Sequence, residues 1–277
     1  MTTHYLTIDV EEHFQVSAFE EFVSRSDWDR LESRVDGNVH RLLELLAEHQ
    51  ARATFFVLGW LAERHPGLVR DIAGAGHEIA SHGWDHRRVT GQEPAHFRVS
   101  VSRSKRLLED LTGAPVLGFR APSFSIVRGL EWALDILVEE GYQYDSSLFP
   151  VIRPGYGYAN GLREPHRLDR PHGRLVELPP ATRRLMGQNL PAAGGGYLRI
   201  FPYWLVHGAI AEFDRRGVPA TLYLHPWEID PEQPRFPVPL LARLRHYTGL
   251  RRTLPRLSRL LAEFKFTAIC DGLASVI

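Results

Sequence analysis

The sequence predicts an α/β protein in which a parallel sheet is covered by helices. Short apolar runs alternate along the chain with stretches whose apolar residues recur at helical spacing. The chain has 277 residues and is 44% hydrophobic, so it can bury a large core. Strands that alternate with helices are typical of parallel sheets with helices packed outside.

The first half of the chain has the regular alternation. Apolar runs predict strands at 4–10, 53–58, 77–81, 116–119 and 142–145. Asn38 is predicted to cap the first helix, and Gly113 to end the helix at 93–111. Another helix, at 59–73, is predicted to break at His65-Pro66, because proline disrupts a helix interior. A fourth helix is expected at 130–140.

The second half is less regular. A stretch rich in Gly and Pro at 149–173 is expected to be a functional loop that forms a wall of a substrate groove. The triple glycine 194–196 lacks the spacing of a phosphate loop and is interpreted as a flexible or positive-φ turn. The remaining elements are strands at 175–178, 220–224 and 266–270, helices at 203–216 and 254–264, and a Pro-rich link at 231–239.

Composition excludes several functions. Lys+Arg and Asp+Glu both number 33, so the net charge of +0 gives no electrostatic footprint for nucleic acid. A single cysteine, Cys270, excludes a disulfide framework and a Cys-rich zinc module and fits a reducing compartment. The N-terminus lacks the pattern of a secretory signal, and no segment approaches the ~20 apolar residues of a transmembrane helix. We therefore expect a soluble, cytoplasmic protein.

Residues able to do chemistry follow the predicted strands. His82 and His86 stand four apart after the third strand, a spacing that can aim two imidazoles at one metal ion. With 14 histidines in the chain this spacing also arises by chance, so further motifs are needed. Asp9, Arg120 and His225 each end another predicted strand. Because sites form at the carboxyl ends of parallel strands, we expect these side chains on one rim.

In their order along the chain, these motifs resemble the polysaccharide deacetylases of the NodB-homology class, the carbohydrate esterase family 4 type. The matching stretches are Thr7-Ile8-Asp9-Val10-Glu11, Ser81-His82-Gly83-Trp84-Asp85-His86, Arg120-Ala121-Pro122-Ser123 and Leu222-Tyr223-Leu224-His225. The stretches 120–126, 194–199 and 223–230 further resemble the subfamily encoded at exosortase/PEP-CTERM exopolysaccharide loci.

The resemblance implies an irregular (β/α) barrel of about seven parallel strands. It implies one domain over 1–277, with 149–200 and 230–277 as extensions particular to the subfamily. It also implies a divalent metal, with zinc expected, held by His82, His86 and a carboxylate. Asp9 would be the general base oriented by Arg120.

By the same resemblance His225 would protonate the leaving amine, and the Ser123 N–H would stabilise the oxyanion. Most relatives have two adjacent aspartates in the first motif, the second being the metal ligand, whereas here Val10 follows Asp9. Alternate strand residues share a face, so Glu11 is our predicted third ligand and Glu12 the fallback. Asp145 is the first candidate for the acid that supports His225, and Glu228 is the second.

The function implied is metal-dependent removal of N-acetyl groups from an amino-sugar polysaccharide in exopolysaccharide biosynthesis. For a cytoplasmic enzyme the substrate could be a lipid-linked precursor, with the protein peripheral at the inner membrane face. Two alternatives stay open. One is hydrolysis of a small cyclic amide or ureide by the same metal site, and the other is a carbohydrate-binding protein without activity.

Overall fold

Seven parallel strands form the centre of the structure, a computed structural model that describes residues 2–153 and 155–274. In spatial order they are β10, β1, β2, β3, β4, β5 and β7, while β11 pairs with the start of β1 and β6 lies antiparallel to β7. A separate hairpin contains β8 and β9. The strands are β1 (Thr3–Val10), β2 (Thr54–Val57), β3 (Glu78–Ser81), β4 (Gly118–Phe119), β5 (Tyr144–Asp145), β6 (His166–Arg170), β7 (Gly173–Glu177), β8 (Thr182–Leu185), β9 (Gln188–Pro191), β10 (Thr221–Leu224) and β11 (Lys265–Thr267).

The ring of strands closes next to β10. Just beyond β7, Pro180 forms an isolated parallel bridge with Thr221 of β10. The Ala181 N–H also donates to the Thr221 carbonyl at 2.9 Å. The ring is irregular because β4 and β5 contain only two residues each. The predicted irregular (β/α) barrel of about seven parallel strands is therefore confirmed.

Helices cover the outside of this ring. They are α1 (Val35–Glu48), α2 (Gly59–Arg64), α3 (Pro66–Gly74), α4 (Pro94–Thr112), α5 (Trp132–Glu139), α6 (Gly195–Ile200), α7 (Tyr203–Arg215), α8 (Leu240–Tyr247), α9 (Leu250–Glu263) and α10 (Ile269–Leu273). None of the helices within the described ranges has the length and apolar character needed to cross a bilayer.

Side-chain alternation along β1 separates two apolar layers. Leu6, Ile8 and Val10 are fully buried in the large cluster that includes the helices. Tyr5 belongs instead to a small cluster inside the ring, which contains Phe56, residues of other strands and two residues of α10. Because successive strand residues point to opposite faces, Thr7 and Asp9 also point inward. The interior of the barrel therefore changes from apolar to polar along β1.

Several expected boundaries are confirmed. The helix at 59–73 is divided into α2 and α3, with Pro66 as the first residue of α3. Gly113 ends α4 in the left-handed conformation, at φ 68°.

Asn38, however, lies inside α1, so its prediction as the cap of that helix was wrong. Glu12 occupies that role: its Oε1 accepts the N–H groups of Arg34 and Val35 at 3.1 and 3.3 Å.

Other predictions failed where local pattern was weak. The expected loop at 149–173 includes β6, which forms a hairpin with β7. Sequence reasoning missed β8, β9, α6, α8 and α10, all short elements. The expected strand at 266–270 ends at Thr267, and α10 begins at Ile269. The helix expected at 254–264 begins earlier, at Leu250.

Candidate active site

Parallel register brings the predicted site residues to one end of the barrel. Asp9 pairs with Phe56 across β1 and β2, and Ser81 pairs with both Val57 and Phe119. His82, Arg120 and His225 directly follow β3, β4 and β10. Strands in register end at the same level, so the side chains after them converge, as expected for a site on a parallel sheet.

Two imidazoles and one carboxylate form the centre of this site. Glu11 Oε1 lies 3.0 Å from His82 Nε2 and 2.9 Å from His86 Nε2. All three residues are buried, and a ligand atom from each lies within 4.8 Å of the other two. Burial raises the pKa of Glu11, but the neighbouring imidazoles outweigh it and hold that pKa well below its usual value. Glu11 is therefore ionised.

The hydrogen bond on the far side of His82 indicates that this cluster can bind a cation. His82 Nδ1 lies 2.7 Å from the Arg120 carbonyl oxygen, which can only accept a hydrogen bond. In a neutral His82 the proton is therefore on Nδ1, and the Nε2 lone pair faces an oxygen of ionised Glu11. Two facing acceptors require a proton or a cation between them. A carboxylate and two imidazoles, one oriented by a backbone carbonyl, fit a divalent metal.

The structure separates the two acids that were considered as the third ligand. Glu11 contacts both histidines, whereas Glu12 caps α1 through its side chain. Val10, between Asp9 and Glu11, is fully buried in the outer core. The side chains of the first motif therefore alternate as expected: Val10 points to the outer core, and Asp9 and Glu11 both point to the site.

Asp9 is held in place by Arg120. Arg120 has no exposed surface, and its Nη1 donates to Asp9 Oδ1 and to Thr7 Oγ1, each at 2.7 Å. Its Nη2 donates to Ser146 Oγ at 2.7 Å, and its Nε donates to the Ser146 carbonyl at 3.1 Å. A buried guanidinium with all these bonds satisfied is a rigid support. One oxygen of Asp9 is fixed, and the other, Oδ2, faces His225.

His225 lies across the site from Asp9. Its Nε2 is 3.9 Å from Asp9 Oδ2 and 4.0 Å from Glu11 Oε2. Its Nδ1 is 3.0 Å from Glu228 Oε2, so this acid orients the ring. Burial lowers the pKa of His225, but Glu11, Glu228 and Asp9 together raise it to about 9.

Glu228, and not Asp145, is the acid that supports His225. The carboxylate of Asp145 accepts both the hydroxyl and the N–H of Ser147, at 2.6 and 3.1 Å. The Ser147 hydroxyl in turn accepts the Ala121 N–H at 2.8 Å. The first-choice assignment of Asp145 was wrong because a local bond to Ser147 uses its oxygens. Asp145 instead supports the segment that contains Ser123.

Ser123 lies at the cavity wall in an unusual backbone conformation. Its φ of 57° is in the left-handed region, which is uncommon for a residue other than glycine. Its hydroxyl also contacts that of Ser17. The cavity measures about 380 Å³ and is lined by residues that include Asp9, Glu11, His86, Tyr223 and His225. A larger cavity of about 670 Å³ is lined by parts of 150–164 and of the β8–β9 hairpin and contains none of these side chains.

Sequence reasoning missed Arg199 and the purpose of the triple glycine. Arg199 Nε donates to Glu228 Oε1 at 3.0 Å, which leaves Oε2 for His225. Gly195 starts α6, and a Cβ there would lie 1.8 Å from Glu228 Oε2. None of the three glycines has a positive φ, so the interpretation as a positive-φ turn was wrong. Gly194 and Gly195 allow the close approach of Tyr223 and Glu228, a long-range requirement that no local pattern reveals.

Two family models match the chain, one in each half. Residues 28–144 match the family described as Polysaccharide deacetylase, and residues 146–274 match a Domain of unknown function (DUF3473). A peptidoglycan-N-acetylglucosamine deacetylase from Bacillus cereus is 31% identical over 96 residues, which cover 34% of this chain and 35% of the relative. The chain thus spans about a third of that relative's length.

Two solved structures resemble the whole fold. A Mycobacterium smegmatis protein assigned as a polysaccharide deacetylase has a TM-score of 0.69 at 22% identity, covering 100% of this chain and 91% of its own. Puue Allantoinase has a TM-score of 0.65 at 18% identity, covering 98% and 88%. At these identities the similarity concerns the fold alone.

Proposed function

Because residues 28–144 match the family described as Polysaccharide deacetylase, we propose that the chain hydrolyses N-acetyl groups of an amino-sugar polymer or its precursor. One observation carries the proposal. Asp9 Oδ2 and His225 Nε2 face each other at 3.9 Å beside the cluster of Glu11, His82 and His86. Amide hydrolysis needs a base for water, an acid for the amine and a Lewis acid for the carbonyl. This arrangement has a base, an acid and a cluster that would hold the metal ion.

Glu11, His82 and His86 would hold the metal. Two imidazoles and one carboxylate are a ligand set found at catalytic zinc sites, so we expect zinc. When bound, such an ion polarises the amide carbonyl and lowers the pKa of water. His82 is ready for this role because its Nδ1 faces a carbonyl oxygen and its Nε2 faces the cluster.

Asp9 is the proposed general base. Arg120 fixes Oδ1, so Oδ2 keeps one orientation toward the cavity, where it can take a proton from the attacking water. The resulting oxyanion would accept the N–H of Ser123 at the cavity wall. Rigid support matters here because a base that is misplaced by about 1 Å loses much of its rate advantage.

His225 is the proposed general acid. Its raised pKa, about 9, keeps the ring protonated at neutral pH. Nδ1–H donates to Glu228, and Nε2–H faces the cavity. As the C–N bond breaks, Nε2–H can protonate the sugar nitrogen, which leaves as the free amine while the acyl group leaves as acetate.

We extend the proposal to the subfamily and its setting. The chain is proposed to be one domain over 1–277, acting in exopolysaccharide biosynthesis on a polymer or a lipid-linked precursor at the cytoplasmic face of the inner membrane. The proposed extensions, 149–200 and 230–277, each supply residues near the site. Tyr156 and Arg245 line the cavity, and Arg199 supports Glu228.

The deciding experiment is acetate release from the metal-loaded protein. Oligomers of N-acetylglucosamine should release acetate and gain free amines in equal amounts, whereas a cyclic imide or ureide should stay intact. The Asp9→Asn variant serves as the control for activity from contaminants. Ring opening of the small amide without acetate release would assign the site to the other substrate class. Oligomer binding without turnover by the metal-loaded protein would identify a carbohydrate-binding protein.

A further inference from the structure

A long segment near the C-terminus has arginines but no acidic residue. From Gln233 to Ala262 the sequence contains seven arginines and neither Asp nor Glu, although the whole chain has a net charge of +0. The segment includes α8 and most of α9. Such separation of charge creates a local positive potential that the overall composition does not show.

The helix α8 presents leucines to solvent beside these arginines. Leu240, Leu241 and Leu244 are 69%, 60% and 54% exposed. They are spaced one and four residues apart and so share one side of the helix. On the opposite side His246 is buried and stacks on Trp227 with a centroid distance of 4.2 Å. The opposite side of α8 thus packs against the protein. Three neighbouring exposed leucines are unusual for a surface that contacts only water.

Exposed arginines accompany these leucines. Arg243 and Arg245 are on α8 itself, and Arg235 precedes it. Arg235 and Arg252 also line a neighbouring cavity of about 460 Å³, whose one acid, Glu232, pairs with Arg251 at 3.0 Å and so leaves these two arginines free for other anions. We call Leu240, Leu241 and Leu244, together with Arg235, Arg243, Arg245 and Arg252, the α8 face. Leucines that can enter an apolar layer, surrounded by arginines that can contact anions, are typical of interfacial membrane helices.

The α8 face is continuous with the candidate active site. Arg245 lines the cavity that contains Asp9. His246 stacks on Trp227, which stacks on His225 at 5.3 Å. A surface that docked on α8 would therefore lie beside the mouth of the cavity.

We propose that the α8 face docks the protein on an anionic lipid surface. The three leucines enter the headgroup boundary, and the arginines contact lipid phosphates. Charge complementarity favours this occupant, because the face has arginines and no carboxylate within the segment. Docking is independent of the proposed deacetylation, so lipid binding and acetate release succeed or fail separately.

Flotation of the full chain with lipid vesicles tests the proposal. One set of vesicles is phosphatidylcholine, and the other contains about one third phosphatidylglycerol. The protein should float with the anionic vesicles and not with the neutral ones, and high salt should release it. The triple variant Leu240→Ser, Leu241→Ser, Leu244→Ser should bind about tenfold more weakly, as should Arg243→Gln with Arg252→Gln.

A matched control exists on the β8–β9 hairpin. Leu185 and Met186 are 51% and 94% exposed and follow the exposed Arg184. The variant Leu185→Ser, Met186→Ser, Arg184→Gln should bind like the native chain. Circular dichroism verifies that every variant is folded. Unchanged vesicle binding by both α8 variants would overturn the proposal. So would absence of native binding together with concentration-dependent self-association, which would make the face a protein interface.

Discussion

Glu228 Oε2 lies 3.0 Å from Nδ1 of His225, and both residues belong to the turn that follows β10. The same oxygen accepts the His225 backbone N–H at 3.1 Å. A single carboxylate thus fixes both the ring and the backbone of the proposed general acid. Its other oxygen is held by Arg199, so the orientation of His225 depends on α6 as well as on its own strand.

The variant Glu228→Gln should lower activity by about tenfold to a hundredfold. Glu228 raises the pKa of His225, so its loss lowers that pKa, and the protonated acid is lost at lower pH. The basic limb of the kcat/KM profile should therefore move to lower pH, while metal content stays the same. Glu232→Gln, at an exposed acid nearby, is the control. An unmoved basic limb would contradict the role of Glu228.

Two variants should distinguish the role of the general base from that of the metal ligands. Asp9→Asn keeps Glu11, His82 and His86, so it should bind metal normally yet lose about a hundredfold or more of its turnover. His82→Ala should lose both metal and activity. Metal analysis of the purified proteins and acetate release are the measurements. Near-normal turnover of Asp9→Asn would remove the base assignment.

Gly195→Ala and Gly196→Ala form a matched pair on α6. A Cβ at 195 would lie 1.8 Å from Glu228 Oε2, whereas at 196 the nearest atom is 3.9 Å away. Gly195→Ala should destabilise the protein by about 1–3 kcal/mol and reduce kcat, because Glu228 must move from His225. Gly196→Ala should stay within about 1 kcal/mol of native. Urea unfolding measures both, and equal effects would show that close approach is not what requires glycine at 195.

Stability should fall as the pH decreases from about 6.5 toward 4. His4 Nδ1 accepts the Ala220 N–H at 3.1 Å, and His77 Nδ1 accepts the Ala53 N–H at 3.2 Å, so both rings are neutral when folded. Burial lowers the pKa of each to about 4, from 6.5 in an unfolded chain. Below pH 6.5 the unfolded state binds more protons, which stabilises it; above that pH the contribution is constant.

Urea unfolding at pH 7.5 and pH 5 should detect a loss on the order of 4 kcal/mol from these two histidines, about 2 kcal/mol from each. In His77→Asn the side-chain oxygen can still accept the Ala53 N–H but does not titrate, so this part of the loss should disappear. His172→Asn, at a histidine whose side chain is 60% exposed, is the control. An unchanged pH dependence in His77→Asn would contradict the assignment.

The sequence determined the succession of strands and helices and the residues at the strand ends, because these depend on local periodicity and turn chemistry. The sequence also determined that the side chains of Asp9 and Glu11 point in the same direction, since alternation along a strand is a local property. Glu12 and Glu11 are chemically alike, so their different roles were decided only when the chain before α1 folded over Glu12.

Tertiary structure alone decided which acid supports His225 and why position 195 requires glycine. Asp145 is the last residue of β5, and Glu228 lies in the turn after β10. A hydrogen bond from the nearby Ser147 occupies Asp145, whereas the turn brings Glu228 to the ring of His225. The approach of α6 to Glu228 joins residues 33 positions apart in the chain. Such contacts depend on how elements pack, and packing distance is not encoded in the periodicity of any single element.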